Sequence, residues 1–159
     1  MVWTAEQIVK KIRDVAATYG RNPQQFRQLD AALRSSDPVE VFEGLLRVFQ
    51  EAGNPTLRFE EQEYAGEMLW FLKPPCGRPL AEVLRSVLCN YDLSVEELPW
   101  YLAEQHGKET VKAALAALST ESLTVRELRS LKTLDYWLDG YPQMIGWLSG
   151  RPFDPPTGR

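Results

Sequence analysis

The stretch Leu80-Ala81-Glu82-Val83-Leu84-Arg85-Ser86-Val87-Leu88-Cys89-Asn90-Tyr91 decides the fold class. Leu80, Val83, Leu84, Val87, Leu88 and Tyr91 recur at intervals of three and four, so in an α-helix they share one face. The polar residues between them take the opposite face, the pattern of a helix with one side against a core. Directly before it stands Pro74-Pro75-Cys76-Gly77-Arg78-Pro79. That run cannot be helical throughout, because proline lacks the N–H donor and its ring clashes with the preceding turn. Residues 74–79 therefore read as an internal linker.

Upstream of the linker the helical period recurs behind clear start signals. Ile8, Ile12, Val15 and Tyr19 form one stripe, opened by the capping-box pair Thr4 and Gln7 and closed by Gly20. Asn22-Pro23 and Asp37-Pro38 each put a capping side chain before a proline at the first helical position. The helix after Asp37 carries Val41, Phe42, Leu45, Leu46, Val48 and Phe49 on a face broad enough for neighbours on two sides, which marks it as central. Gly53-Asn54-Pro55 stops it, and a fourth helix follows over roughly 57–73. The opening Thr56-Leu57-Arg58-Phe59 alternates and could instead be briefly extended.

Downstream, Ser94 and Glu97 have capping-box spacing for a helix through Leu98 and Leu102, with Pro99 set to kink it or delay its regular part. Gly107 ends that helix, and Val111, Ala114, Leu115 and Leu118 mark another. Thr124 with Glu127 opens the next, carrying Leu128, Leu131, Leu134 and Leu138 up to Gly140, with one short further turn around Trp147. The expectation is an all-α fold of about eight short antiparallel helices in a compact bundle or short α-α superhelix. It forms a single domain over 1–150 with an extended tail over 151–159.

The stretch Asp37-Pro38-Val39-Glu40-Val41-Phe42 through Gly53-Asn54-Pro55, and the pair of helices from Ser94 to Leu118, resemble HEAT or armadillo repeats in their punctuation. The resemblance covers about a third of the chain. It lacks the family's usual Asp in the turn and Arg in the second helix, since Gly107 and Ala113 stand there. The resemblance implies stacked helix pairs and a scaffold that binds proteins.

Composition narrows the function classes. The net charge is −4, whereas nucleic-acid binders carry a basic stripe or patch, so nucleic acid is disfavoured as a partner. No apolar run reaches the roughly 18 residues of a membrane span, and the first residues lack a leader's basic and apolar regions, so a cytoplasmic chain is expected. Cys76 and Cys89 then read as free thiols. Gly-X-X-X-X-Gly-Lys, Gly-X-Gly-X-X-Gly and Gly-X-Ser-X-Gly are all missing, and no cofactor is expected. Cys76, Cys89 and His106 supply three soft ligands at unrelated spacings, which argues against a zinc site. His106, just before Gly107, reads as a cation at a helix C-terminus.

The remaining candidates point to binding. Glu60, Glu63 and Glu67, beside Glu61, make an acidic stripe along the fourth helix, either a solvated face or a dock for a basic partner. Trp100 and Tyr101 cannot both point inward if Leu98 and Leu102 define the buried stripe, so at least one is expected to be part-exposed as an interface anchor. Arg126, Arg129 and Lys132 lie opposite a leucine face, as on a solvated helix back, with phosphate contact as the alternative. The expected function is a non-catalytic protein–protein interaction domain; an acidic immunity or inhibitor-type protein is one version. The alternatives are a small enzyme using Glu96, Glu97 or Glu104 near Tyr101 in a helical cleft, and a nucleic-acid binder whose scattered arginines would have to converge.

Overall fold

The computed structural model describes residues 2–18 and 22–148, with side chains up to residue 141. Tyr19, Gly20, the Trp147 side chain and the tail over 151–159 lie outside the described residues. Eight α-helices follow one another: α1 (Ala5–Ala16), α2 (Pro23–Arg34), α3 (Pro38–Gln50), α4 (Arg58–Leu72), α5 (Leu80–Val87), α6 (Glu97–His106), α7 (Lys108–Leu118) and α8 (Val125–Leu148). Among the described residues there is no strand. No helix is long and apolar enough to cross a membrane, again among the described residues.

Most start signals form as the spacing requires. The Thr4 and Gln7 side chains exchange hydrogen bonds with each other's backbone N–H at the head of α1, and Thr124 and Glu127 do the same at the head of α8. Asn22 and Asp37 accept from the N–H groups of Gln24 and Val39. Glu40 reaches further. Its carboxylate accepts from the Ala5 N–H at 2.6 Å and so fastens α3 to the start of α1.

Two boundaries differ from the sequence expectation. Ser94 and Glu97 form no capping box; the Ser94 N–H turns to Asp92, and α6 starts at Glu97 with no side-chain cap. Pro99 then occupies the third helical position, where an N–H would have no intrahelical acceptor, so the proline delays the helix at little cost. Gly140 does not end α8, which continues to Leu148. One glycine inside a helix costs only about 1 kcal/mol, which a long, packed helix offsets.

Contacts between alternate helices organise the molecule. Trp3, Ala5 and Ile8 meet Ser36, Glu40 and Gly44 in turn, so α1 and α3 run parallel. Gly66, Trp70 and Lys73 meet Glu97, Trp100 and Glu104 in the same sense, which makes α4 and α6 parallel. Trp100 and Glu104 then meet Trp137 and Tyr141, so α8 continues the series. The odd helices α1, α3, α5 and α7 lie side by side in one layer. The even helices α4, α6 and α8 form the other, with α2 joined to α4 through Phe26 against Tyr64 and Phe71.

A continuous apolar core fills the space between the layers. Val41, Phe42, Leu45, Leu46, Val48 and Phe49 of α3 are all buried, each large side chain contributing about 1.5–3 kcal/mol of transfer free energy. As its broad face implies, α3 has neighbours on more than one side, touching α1, α4 and α5, and α4 is enclosed as well. Helix α4 touches α1, α3 and α6 as well as Phe26, and buries residues all around its circumference from Glu61 to Trp70. Close approach of α1 to α3 depends on Gly44, where a Cβ would lie 2.7 Å from the Ile8 Cβ and 2.9 Å from the Ala5 carbonyl oxygen.

The linker over 74–79 is anchored at both ends. Arg78 donates from Nε and Nη2 to Glu43 of α3, each at 2.7 Å, and from Nη1 to Glu82 of α5. The Tyr101 hydroxyl donates to the Pro74 carbonyl and the Cys76 N–H to Gln105, tying the same segment to α6.

Candidate functional site

The acidic stripe faces the interior more than the solvent. Glu61 is 4% exposed and Glu67 is buried, while Glu60 and Glu63 are half-buried. The reason is the central position of α4, which leaves no face free for a continuous solvated row. Burial pushes the Glu61 carboxyl up, against the pull of the Asn54 N–H and of Arg13 at 3.8 Å. Gly53 leaves room for it, since a Cβ there would stand 2.1 Å from Glu61 Oε2.

Glu67 and Glu63 meet Glu96 and Glu97 where α4 passes the start of α6. Gly66 permits this approach, a Cβ there coming within 3.3 Å of the Glu97 Cβ. Burial, then the neighbouring carboxylates of Glu67, Glu96 and Glu63, push the Glu97 carboxyl up to about 7, against the hydrogen bond from its own N–H. Glu96 is raised by burial and by Glu63. Glu104 is separate, seven residues further along α6. Its carboxylate accepts from Tyr141 at 2.5 Å and from Lys73 at 3.2 Å, which hold it in its ionised form. Glu96, Glu97 and Glu104 therefore do not converge, and among the described residues no group of three or more His, Cys, Asp or Glu is arranged to hold a metal ion.

Trp100 and Tyr101 both point inward, at 4% and 0% exposure, so the expected exposed anchor is missing. The reason is that α6 has neighbours on several sides. Trp100 turns toward the even layer, edge-on to Trp70 with its Nε1 donating to the Trp137 carbonyl. Tyr101 turns toward Phe42 of the odd layer. His106 does end α6, but burial lowers its pKa and its Nε2 has no hydrogen-bond partner among the described residues. Burial thus works against the cationic cap that its position implied.

A different set of residues forms a concave site. Arg58, Tyr91, Leu93, Val125, Arg126, Arg129 and Ser130 line a pocket of about 430 Å³. Arg58 is the first residue of α4, a helix with no side-chain N-cap, and Val125 is the first of α8. The facing wall belongs to the loop over 88–96. Buried Gln62 holds that loop to α4, donating to the Asn90 carbonyl and accepting from the Asp92 N–H, both at 2.7 Å. Trp137 Nε1 and Arg126 Nε donate to the Leu93 and Cys89 carbonyls and hold it to α8. Thus three segments distant in sequence are fixed around one hollow before any ligand arrives.

The charges of this pocket are lopsided. Asp92 reaches Arg58 Nε at 3.3 Å. No ion pair or side-chain hydrogen bond engages the Arg129 guanidinium among the described residues. Val125, at 79% exposure, forms an apolar rim. Sequence reasoning grouped Arg126 and Arg129 with Lys132; the pocket takes the two arginines, adds Arg58 and leaves Lys132 out of its lining. The missed signal was weak: an uncapped helix start at Arg58 and an arginine pair in the first turns of α8.

No family model matches this chain. Among curated proteins and solved structures, likewise, none matches it. The site must therefore be read from its own chemistry.

Proposed function

We propose that this chain is a non-catalytic interaction domain that binds another protein, receiving an acidic segment of it in the pocket of Arg58, Arg126 and Arg129. One observation carries the reading: Arg58, Arg126 and Arg129, from the starts of two helices, line one preformed hollow in which Asp92 pairs with Arg58. Guanidinium cannot shed its proton, and with Arg126 and Arg129 exposed the positive charge lies open to an anion from outside. Helix N-termini add positive potential in the same place. The exposed Val125 beside it offers the apolar contact that a protein partner would cover.

The reading reverses the sign of partner expected from the acidic stripe, of which Glu63 and Glu67 are drawn into the α4–α6 junction. It is favoured over catalysis by Glu96, Glu97 and Glu104 because none of them lines this pocket or the groove at Leu33, Pro38, Val41, Leu72 and Pro74. It is favoured over nucleic-acid binding because a duplex contact usually engages about 6–10 phosphates, whereas three arginines in a hollow suit one compact anionic group.

The test is association kinetics with a purified partner at two salt concentrations. Arg126→Glu with Arg129→Glu should slow association at least tenfold and flatten its salt dependence, while Lys132→Glu leaves both close to wild type. Equal association by the double reversal and the wild type would overturn the proposal.

A further inference from the structure

We infer that the group received by this pocket is a phosphomonoester on an apolar stem, carried by a side chain of the partner protein, rather than a carboxylate. The inference rests on the reading of the pocket as a protein-binding site and names the chemistry of its occupant. Charge is the first argument. Asp92 pairs with Arg58, while among the described residues the exposed Arg126 and Arg129 form no ion pair, so two positive charges are open to a ligand. A carboxylate supplies one negative charge; a phosphomonoester supplies about 1.5–2 at neutral pH, with three acceptor oxygens.

Donor geometry is the second argument. Arg58 spends its Nε on Asp92 and Arg126 spends its Nε on the Cys89 carbonyl, so both side chains are held by the inner nitrogen. Among the described residues their terminal Nη groups have no hydrogen-bond partner, and with Arg129 they offer more donors than the two oxygens of a carboxylate can accept. Ser130 adds a buried hydroxyl to the lining. The pocket opens beside the uncapped start of α4 and the first residues of α8, where helix dipoles favour phosphate.

The third argument is the other wall. Tyr91, Leu93 and Val125 carry no free charge, and the Tyr91 hydroxyl is committed to the Val95 carbonyl. At about 430 Å³ the pocket falls in the size range of small-molecule sites, with room for a stem as well as its anionic head. The loop that supplies this wall is already tied to α4 and α8, so binding need not spend energy ordering it.

The experiment titrates phenyl phosphate, benzoate and inorganic phosphate into the full chain, following backbone amide resonances. Phenyl phosphate should saturate shifts at Leu93, Arg126 and Arg129, at least tenfold tighter than benzoate and several-fold tighter than inorganic phosphate. Arg126→Ala with Arg129→Ala should abolish those shifts while the remaining spectrum shows an intact fold. A phosphotyrosine peptide should bind at least as tightly as phenyl phosphate; a peptide binding more weakly would overturn a protein-borne source in favour of a free phosphorylated small molecule. Equal affinity for benzoate and phenyl phosphate would overturn the phosphate inference and leave the acidic-segment reading standing. Inorganic phosphate binding as tightly as phenyl phosphate would overturn the apolar stem. No saturable shift with any probe overturns the inference; if the double reversal also leaves partner association unchanged, the protein-binding reading falls with it.

Discussion

Four glutamates meet where α4 passes α6, and three arginines line one pocket where α4 and α8 begin. The two clusters share a helix. Arg58 opens α4 at the pocket, while Glu63 and Glu67 lie further along it at the junction. They differ in how unbalanced charge is relieved. A crowded, partly buried carboxyl can take up a proton, and burial with neighbouring carboxylates raises the Glu97 pKa in this direction. A guanidinium has no such route, so an arginine cluster persists only where water or an anion reaches it. Charge drawn inward at the junction thus bears on stability, and charge held at the helix starts stays open to solvent and, on the proposed reading, to a ligand.

That contrast breaks most readily at Trp100 and Tyr101. As packed side chains of the α4–α6–α8 seam, each should cost about 3–5 kcal/mol on substitution by alanine. Urea unfolding measures this, and a loss under 1 kcal/mol would return them to the surface. Next comes Glu61→Ala, which leaves the Asn54 N–H without its acceptor and Arg13 with Glu51 alone. Because Arg13 is part-exposed, the expected loss is about 2 kcal/mol.

Glu97 sharpens the comparison through pH. Folded, its carboxyl holds a proton up to about pH 7; its ordinary value is 4.5. The stability from that raised value is fully present below pH 4.5 and is lost as pH rises through 7. Glu97→Gln should therefore flatten stability against pH over that window and exceed wild type at pH 8 by about 2 kcal/mol. Parallel pH curves for the two proteins would show that the junction is not crowded with charge.

The smallest effects concern helix starts. Thr124→Ala should cost about 1 kcal/mol, since its side chain caps α8 beside the pocket, whereas Ser94→Ala should cost under about 0.3 because it caps nothing. Arg129→Glu should change stability by no more than about 0.5 kcal/mol, its effect appearing in binding alone.

What the chain discloses before folding follows the same divide. Helices whose apolar residues keep a clear period declare themselves: α1, α3, α5 and α8 show their stripes and most of their caps in the sequence. The role of α4 is hidden because a helix enclosed on all sides loses its amphipathic period, and its glutamates imitate a solvated row. Trp100 and Tyr101 mislead for the same reason, since α6 buries opposite faces against different layers. The arginine pocket leaves almost no local trace. Arg58 and Arg129 stand 71 positions apart, and only the parallel stacking of α4, α6 and α8 fixes the loop between them.

The edge-on pair of Trp70 and Trp100, with ring centres 6.0 Å apart, gives the molecule an optical signature. Two indoles fixed at that separation and tilt couple their electronic transitions, so the near-ultraviolet circular dichroism of the folded chain should carry a strong aromatic band. The band reports the register of α4 against α6 and would vanish if the helices kept their backbone hydrogen bonds but lost their fixed packing. Trp100 also donates to the Trp137 carbonyl, and Trp137 donates to the Leu93 carbonyl at the pocket wall. The same chromophores thus sit at the end of a short mechanical linkage to the arginines, and a ligand that shifts the wall would be visible without any label.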